Sequence, residues 1–433
     1  MDSFVRRRGS RDAAWAFGTK VLGLALGLGS SVILAWVTPQ AVLGVWFSVR
    51  AASTILSAFV ELGVPLAMVR RVAPSPSDLR GAVPGLQVIT GASILVIGVG
   101  VGVENSALSR MLLGPDLQSY VVVICVLACS RAVEHYWAEV LRGQGDIRGA
   151  VVTDGFASRS MFLIGVSIVA LARIDVRIFQ LAFLLVSVTL LATYVAGRRA
   201  LGSRERDLDL GFLDPRGIRA MLREGRPLLV TSIGSRVIAG ADVVIVGTLL
   251  GPLPAADYGI ALKIAALVAV PLAVINALAP HRVASRIQSA EGVDILQEWL
   301  TRKARISSLA SAVVLIGLAA VGRPALVLMF GSEYASAYSV MIVLGAGQLV
   351  NALVGPSELT LINLGFRRVV ALNNILFASA LIVLCSLAAV ATGNAAIVAA
   401  SAAGCMAIEN LVGWQMLRSR TGLRTDAWTT KLA

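Results

Sequence analysis

Five side chains on one apolar stretch hold the most concentrated chemistry of the chain. Arg131, Glu134, His135, Glu139 and Arg142 fall within one 12-residue run. On a helical wheel Arg131, Glu134, His135 and Arg142 project at about 0°, 300°, 40° and 20°, with Glu139 flanking them at about 80°. They form one polar stripe on an otherwise apolar helix. Two chemistries fit such a stripe: ion pairs that neutralise one another and hold neighbouring helices together, or charges lining a transport path. The residues alone leave both open.

Further charges interrupt other apolar runs. Once the basic residues of the polar segments are set aside, Lys20, Arg50, Arg131, Arg159, Arg236 and Lys263 remain inside apolar stretches. The acids in such stretches are Glu61, Glu134, Glu139, Asp154, Asp242 and Glu409, with Glu358 near a boundary. An ionisable side chain near the centre of a bilayer costs at least ~2.5 kcal/mol, so each demands a partner, a wet cavity or a role. Arg50 lies roughly 13 Å along its helix at a rise of 1.5 Å per residue, too deep to snorkel easily. Arg236 and Lys263 are also well inside their runs. Lys20, Glu61 and Asp154 lie nearer a boundary, where snorkelling explains them as well as function does. Asp242 follows Arg236 by six residues, about 120° round a helix, so direct pairing requires a bend.

Catalysis is not indicated. The only histidines are His135 and His281, and no Gly-rich phosphate loop ending in Lys-Ser/Thr occurs. Cys125, Cys129, Cys385 and Cys405 all lie in apolar runs and read as small packing residues, because two thiols one turn apart make a poor metal site. No enzyme activity, cofactor or metal is expected.

The elements that carry these charges follow from composition. Hydrophobic residues make up 57% of the chain and charged residues 15%, with a mean hydropathy of +0.81. That leaves too little polar surface to cover a water-soluble globule. Apolar runs of roughly twenty residues, the length a bilayer core requires, recur along the chain. The spans fall at about 13–36, 41–69, 82–103, 118–141, 150–172, 177–197, 226–249, 256–280, 306–322, 336–356, 368–391 and 395–417. The first is too long for a cleavable signal and is expected to be a span. The architecture is therefore all-α, a polytopic membrane protein of about 12 helices.

Arginine and lysine set the orientation. The terminal segments and alternate loops on one side collect 28 basic residues, whereas the opposite loops hold only Arg110, Arg173, Arg177 and Arg323. The rich side is expected to be cytoplasmic, with both termini on it. The net charge of +13 lies between spans rather than on one soluble face, which argues against nucleic acid as a partner.

The polar segment 198–225 divides the chain into halves, 1–197 and 226–417, followed by a tail, 418–433. Six spans per half makes them parallel repeats. Pro39 and Arg50 recur as Pro252 and Lys263 at a shift of 213 residues. Gly23 with Gly27, and Gly98, Gly100 and Gly102, permit close helix approach. Pro65 after Gly63, and Pro271, are expected to kink spans two and eight. The polar segment around Asp294 and Glu298 is expected to form a surface helix.

Several stretches resemble a known family. GTKVLGLALGLGSSVILAWVTP (Gly18 to Pro39), ELGVPLAMVRRVA (Glu61 to Ala73) and LRGQGDIRGAV (Leu141 to Val151) resemble the first span, the end of the second and the four-to-five connection of O-antigen flippases of the Wzx type. ADVVIVGTLLGPLPAADYGIALKIAALVAVPLAVINALAP, FGSEYASAYSVMIVLGAGQLVNALVGP and NLGFRRVVALNN continue the likeness in collinear order. The glycine-acid-arginine signature of the major facilitators is missing between spans two and three, where RRVAPSPSDLR stands.

The resemblance implies the fold of the multidrug/oligosaccharidyl-lipid/polysaccharide (MOP) exporter superfamily, two six-helix bundles around a central cavity. It implies a flippase in the bacterial cytoplasmic membrane that moves a polyprenyl-diphosphate-linked glycan from the inner to the outer leaflet, in concert with polysaccharide polymerase machinery. On that reading Arg50, Arg236 and Lys263, with Lys20, Arg131 and Arg159, are the candidate substrate-binding cations. Glu61, Asp154 and Asp242 are candidates for ion coupling. A cation-coupled multidrug antiporter of the same superfamily is the alternative, and a major facilitator transporter a more distant one.

Overall fold

The computed structural model describes residues 2–73, 82–174, 176–202, 214–286 and 290–428, with the side chains of 2–14, 16, 17, 20, 112 and 277–293 left out. Lys20, His281 and the central linker residues 203–213 therefore lie outside the described side chains or residues. Among the described residues the chain is all-helical, with no strand. Ten helices are long and apolar enough to cross a membrane, and a pair bent by 51° makes an eleventh. The shorter apolar helix Val21–Val37 stands at the first expected span, so all twelve expected positions are helical. Ile94, Leu171, Phe183 and Leu328 are among the many exposed apolar side chains on these helices. Such faces fit a lipid solvent.

By packing, the chain forms two compact units, Met1–Pro252 and Leu253–Ala433. The boundary lies one span later than the polar segment 198–225, because the helices of span seven pack within the first unit. The first unit comprises α1 (Asp2–Val37), α2 (Gln40–Glu61), α3 (Val64–Val72), α4 (Ala82–Val103), α5 (Ala107–Gln118), α6 (Val121–Gly143) and α7 (Ile147–Val151). A π-helical turn, Val152–Phe156, leads into α8 (Ala157–Leu171), α9 (Ile178–Leu201), α10 (Pro215–Ile238) and α11 (Ala241–Leu249).

The α6 helix is the axis of this unit, packing on α2, α3, α4, α7 and α9. Its apolar face buries Ala128, Ala132, Tyr136 and Val140 among Met68, Ile89 and Met221. Tyr136 is fully buried and donates its hydroxyl to the Ala82 carbonyl, which satisfies the polar tip of a large apolar side chain. Segments assigned to the same membrane side meet at one end: Arg71 reaches Glu224 at 2.9 Å and Arg199 reaches Asp146 at 2.5 Å.

Spans two, five and seven are not the continuous helices that the apolar runs suggest. Span two breaks between α2 and α3, where Leu62 (φ 50°) and Gly63 (φ 72°) are both left-handed. Pro65 then starts α3, where its missing N–H costs nothing. Gly63 is required twice over, because a Cβ there would meet the Gly225 carbonyl oxygen at 2.2 Å in addition to the positive φ. Pro271 behaves differently, since α12 (Pro252–Arg286) runs through it as one element. The connection between spans three and four contains α5.

In the second unit α12 is followed by α13 (Ala290–Phe330), α14 (Ala337–Val354), α15 (Ser357–Asn363), α16 (Arg367–Thr392) and α17 (Ala395–Thr421). Span nine is therefore the end of a 41-residue helix. The expected surface helix around Asp294 and Glu298 is its first part, and it is not free: Leu296 and Leu300 are buried beside Leu361, Val370 and Leu417. Ser308 bonds the Ala352 carbonyl at 2.9 Å and Ser311 the Val268 carbonyl at 2.7 Å, tying α13 to α14 and α12. The segment after α17 folds back. Gln297 bonds both backbone groups of Arg424, the Ala427 amide meets the Leu353 carbonyl at 2.9 Å, and Trp414 Nε1 donates to the buried Asp426 at 2.7 Å.

Candidate functional site

The polar stripe of α6 meets charges from three other elements of the first unit. At its centre His135 lies between two almost fully buried carboxylates. Its Nδ1 is 3.1 Å from Glu61 Oε2 at the end of α2, and its Nε2 is 3.4 Å from Glu139 Oε1 one turn along α6. Arg236 of α10 brings Nη2 to 2.6 Å from the other Glu61 oxygen and donates Nη1 to Ser57 Oγ. Arg142 pairs with Glu139 and approaches Asp154 at 3.8 Å. Arg131 bonds Glu134 at 2.7 Å and Asp154 at 3.4 Å, and Glu134 also accepts from Ser158 Oγ at 2.6 Å.

Asp154 joins this network because the helix is interrupted there. Asp146 caps α7 by accepting from the Gly149 amide at 2.9 Å, and after one further turn the backbone leaves helical geometry at Asp154 (ψ 56°) and Gly155 (φ 85°). An Asp-Gly pair within an apolar run is the sequence signal for such a break, since glycine adopts the left-handed conformation without a Cβ penalty. The break also leaves room for cations: a Cβ on Gly155 would meet Arg131 Nη1 at 3.1 Å and Arg159 Nη2 at 3.4 Å. A Cβ on Gly23 of α1 would meet Arg159 Nη1 at 3.0 Å. Arg50 lies over the Trp46 ring at 5.9 Å and feels the like charges of Arg159 and Arg131.

Arg50, Arg131 and Arg159, which are distant in sequence, thus form one cationic group. Arg131 is shared with Glu134 and Asp154. Among the described residues, Arg50 and Arg159 make no ion pair. Wheel geometry brings out the α6 stripe but not this grouping, which depends on the break at Gly155. Arg236 stands apart from it, committed to Glu61. The bend that would let Asp242 meet Arg236 does exist, between α10 and α11, but Asp242 Oδ1 instead accepts from the Val243 amide at 2.9 Å at the start of α11. Lys263 is half-buried on α12 in the second unit.

The second unit holds a smaller polar cleft lined by Glu358, Asn373, Glu409 and Asn410. Asn374 donates to Glu358 at 3.0 Å, and among the described residues the buried Oδ1 atoms of Asn373 and Asn374 have no hydrogen-bond partner. Among the described residues no group of three or more His, Cys, Asp or Glu side chains is placed to hold a metal ion.

Outside the apolar stretches, the Arg71 fork holds the Glu224 carboxyl below the usual carboxylate range by hydrogen bonding, and Glu224 raises Arg71 in turn.

Comparison with known proteins agrees with this architecture. An inward-facing multidrug resistance MATE family transporter of the MOP superfamily aligns with a TM-score of 0.70 at 14% identity, over 92% of this chain and 94% of that one. An outward-facing MATE transporter of the same superfamily aligns at 0.62 and 16% identity, over 95% and 94%. A MOP superfamily transporter from Pyrococcus furiosus, described as having a binding pocket of reverse polarity that suggests a different function, aligns at 0.56 and 13%, over 95% of each chain. No curated protein matches the sequence significantly. The profile of the family described as polysaccharide biosynthesis protein matches residues 9–281, more than half of the chain. With the fold of the MOP superfamily transporters and that match, the chain belongs to the polysaccharide biosynthesis protein family.

Proposed function

We propose that this protein is a flippase that moves a polyprenyl-diphosphate-linked oligosaccharide from the inner to the outer leaflet of the bacterial cytoplasmic membrane. The observation that carries this reading is the Arg50, Arg131 and Arg159 group. Two guanidiniums without a carboxylate partner among the described residues, beside a third that is only partly neutralised, constitute a standing demand for an anion. A diphosphate brings about two negative charges, and arginine forks bind phosphate oxygens in bidentate, charge-assisted pairs. The glycan crosses in water while the polyprenyl tail remains in lipid, and the carrier alternates its access between leaflets. Lys263 and Lys20 are further candidate contacts, Arg236 acts through Glu61, and Glu61, Asp154 and Asp242 are candidates for ion coupling. The polymerase machinery that consumes the flipped glycan is the expected partner, and both termini face the cytoplasm.

The test is a deletion strain complemented with variants. Loss of the protein strands lipid-linked oligosaccharide in the inner leaflet. The Arg50→Ala, Arg159→Ala double variant expresses but does not restore export, while Arg50→Lys restores part of it because charge survives without the fork. Full export by a well-expressed double variant overturns the assignment. The Glu358 and Glu409 cleft favours a second reading, a multidrug antiporter that takes cationic drugs. That reading requires drug sensitivity in the deletion strain and normal glycan export.

A further inference from the structure

We propose that His135 is a proton-binding site of this carrier, and that its proton governs how Arg236 attaches the bent seventh span to the rest of the first unit. The carrier role rests on the flippase reading, whereas the protonation chemistry rests on geometry alone. A neutral imidazole has one N–H donor and one lone pair. Here both ring nitrogens face carboxylate oxygens, Nδ1 toward Glu61 and Nε2 toward Glu139, and an ionised carboxylate only accepts. Both carboxylate contacts are hydrogen bonds only when the ring carries both protons, or when a carboxylate carries the second; a neutral ring keeps one of them and turns its other nitrogen to Arg236, 3.4 Å away.

The ring sits among charges of both signs. The groups facing His135 are Glu61 on α2, Glu139, Glu134, Arg131 and Arg142 on α6, Asp154 in the π-helical turn and Arg236 on α10. Two carboxylates and one guanidinium touch the ring, so the contacts at the ring itself favour the imidazolium. An opposite charge in contact stabilises a charged group, which makes the second ring proton part of the stable assembly. Because it is the one proton whose loss leaves a neutral aromatic ring, it is also the one that exchanges most readily.

Its loss has a mechanical consequence. Arg236 Nη2 is 3.4 Å from His135 Nδ1 as well as 2.6 Å from Glu61. With Nδ1 protonated, ring and guanidinium compete for Glu61 and repel each other. When that proton leaves, Nδ1 offers Arg236 a lone pair, and α10 becomes tied to α6 in addition to α2. Arg236 lies two residues before the end of α10, next to the bend of 51° into α11. Proton loading therefore loosens, and unloading tightens, the anchorage of a span that already carries a hinge.

The chain has only two histidines, which makes the test direct. The full-length protein, labelled with 15N-histidine and held in lipid nanodiscs, is titrated by NMR with His281→Asn used for assignment. The expected result at neutral pH is a His135 ring with both nitrogens protonated, losing one proton in a single step on alkalinisation. Glu139→Gln should move that step down by about one to three pH units, the effect of removing a close opposite charge. Glu61→Gln should do the same, and Glu139→Gln keeps the test valid if Glu61→Gln does not fold. A neutral ring at pH 7, or a step that neither variant moves, overturns the proposal. In vesicles carrying lipid-linked oligosaccharide and a pH gradient, His135→Gln should abolish the gradient's effect on flipping; an unchanged gradient effect also overturns it. Absence of any flipping by the unmodified protein defeats the flippase reading and leaves the NMR outcome to decide the proton site.

Discussion

The two units treat their interior charges in opposite ways. In the first, every carboxylate of the α6 network meets a cation, and the cations are in excess, with Arg50 and Arg159 left over. In the second, Glu358 and Glu409 line one cleft, and among the described residues neither forms a salt bridge; amides are their polar neighbours. A helix bundle can thus manage buried charge by mutual neutralisation or by leaving one sign exposed to an incoming partner. The first unit pairs most of its charges and leaves Arg50 and Arg159 without an ion pair among the described residues. Its paired region ties helices to one another, whereas Arg50 lies over Trp46 and Arg159 beside Gly23 and Gly155.

The sharpest way to break this contrast is to remove Glu61. Glu61→Ala strands Arg236 and His135 without their shared carboxylate and should cost about 3–5 kcal/mol, the penalty of splitting a buried pair. A large fall in thermal stability of the purified protein is the expected reading. Glu409→Gln provides the counterpart. It removes a carboxyl that no described cation neutralises, so stability should hold or rise, and a loss comparable to that of Glu61→Ala would erase the difference between the units. Next in size is Gly63→Ala, which combines a left-handed backbone with a clash against Gly225 and should cost about 1–3 kcal/mol.

The smallest effect is expected at the basic end of the first unit. Arg71 and Glu224 are 23% and 44% exposed, so Glu224→Gln should cost less than about 1 kcal/mol. Because folding depresses the Glu224 carboxyl, the pair stabilises above the ordinary carboxylate pKa of about 4.3 and loses that contribution as pH falls through the folded value. The gap between the two proteins should therefore close in acid.

Much of the architecture was legible from hydropathy, because a lipid solvent forces long apolar helices and leaves few alternatives. The positions of all twelve spans follow from that single constraint. The α6 stripe was legible as well, since wheel geometry relates residues on one helix. What periodicity could not reveal were relations between helices. Arg50 and Arg236 look alike as buried cations, yet one pairs with Glu61 and the other gathers with Arg131 and Arg159. The difference arises at Leu62–Gly63 and Asp154–Gly155, where two left-handed residues in one case and a turn dipeptide in the other redirect the chain. Hydropathy averages over such short breaks, and the glycines that enable them resemble the many that serve only for packing.

The folded-back segment at residues 422–428 bears on biosynthesis. It leaves the ribosome after every helix it joins, so α13, α14 and α17 enter the bilayer with the Gln297 amide, the Leu353 carbonyl and the Trp414 indole still awaiting their partners. Only when Arg424, Asp426 and Ala427 arrive do those groups meet these partners. The packing of the second unit is thus completed by a stretch made after all its helices, and a nascent chain halted before Arg424 would leave those polar groups unmet.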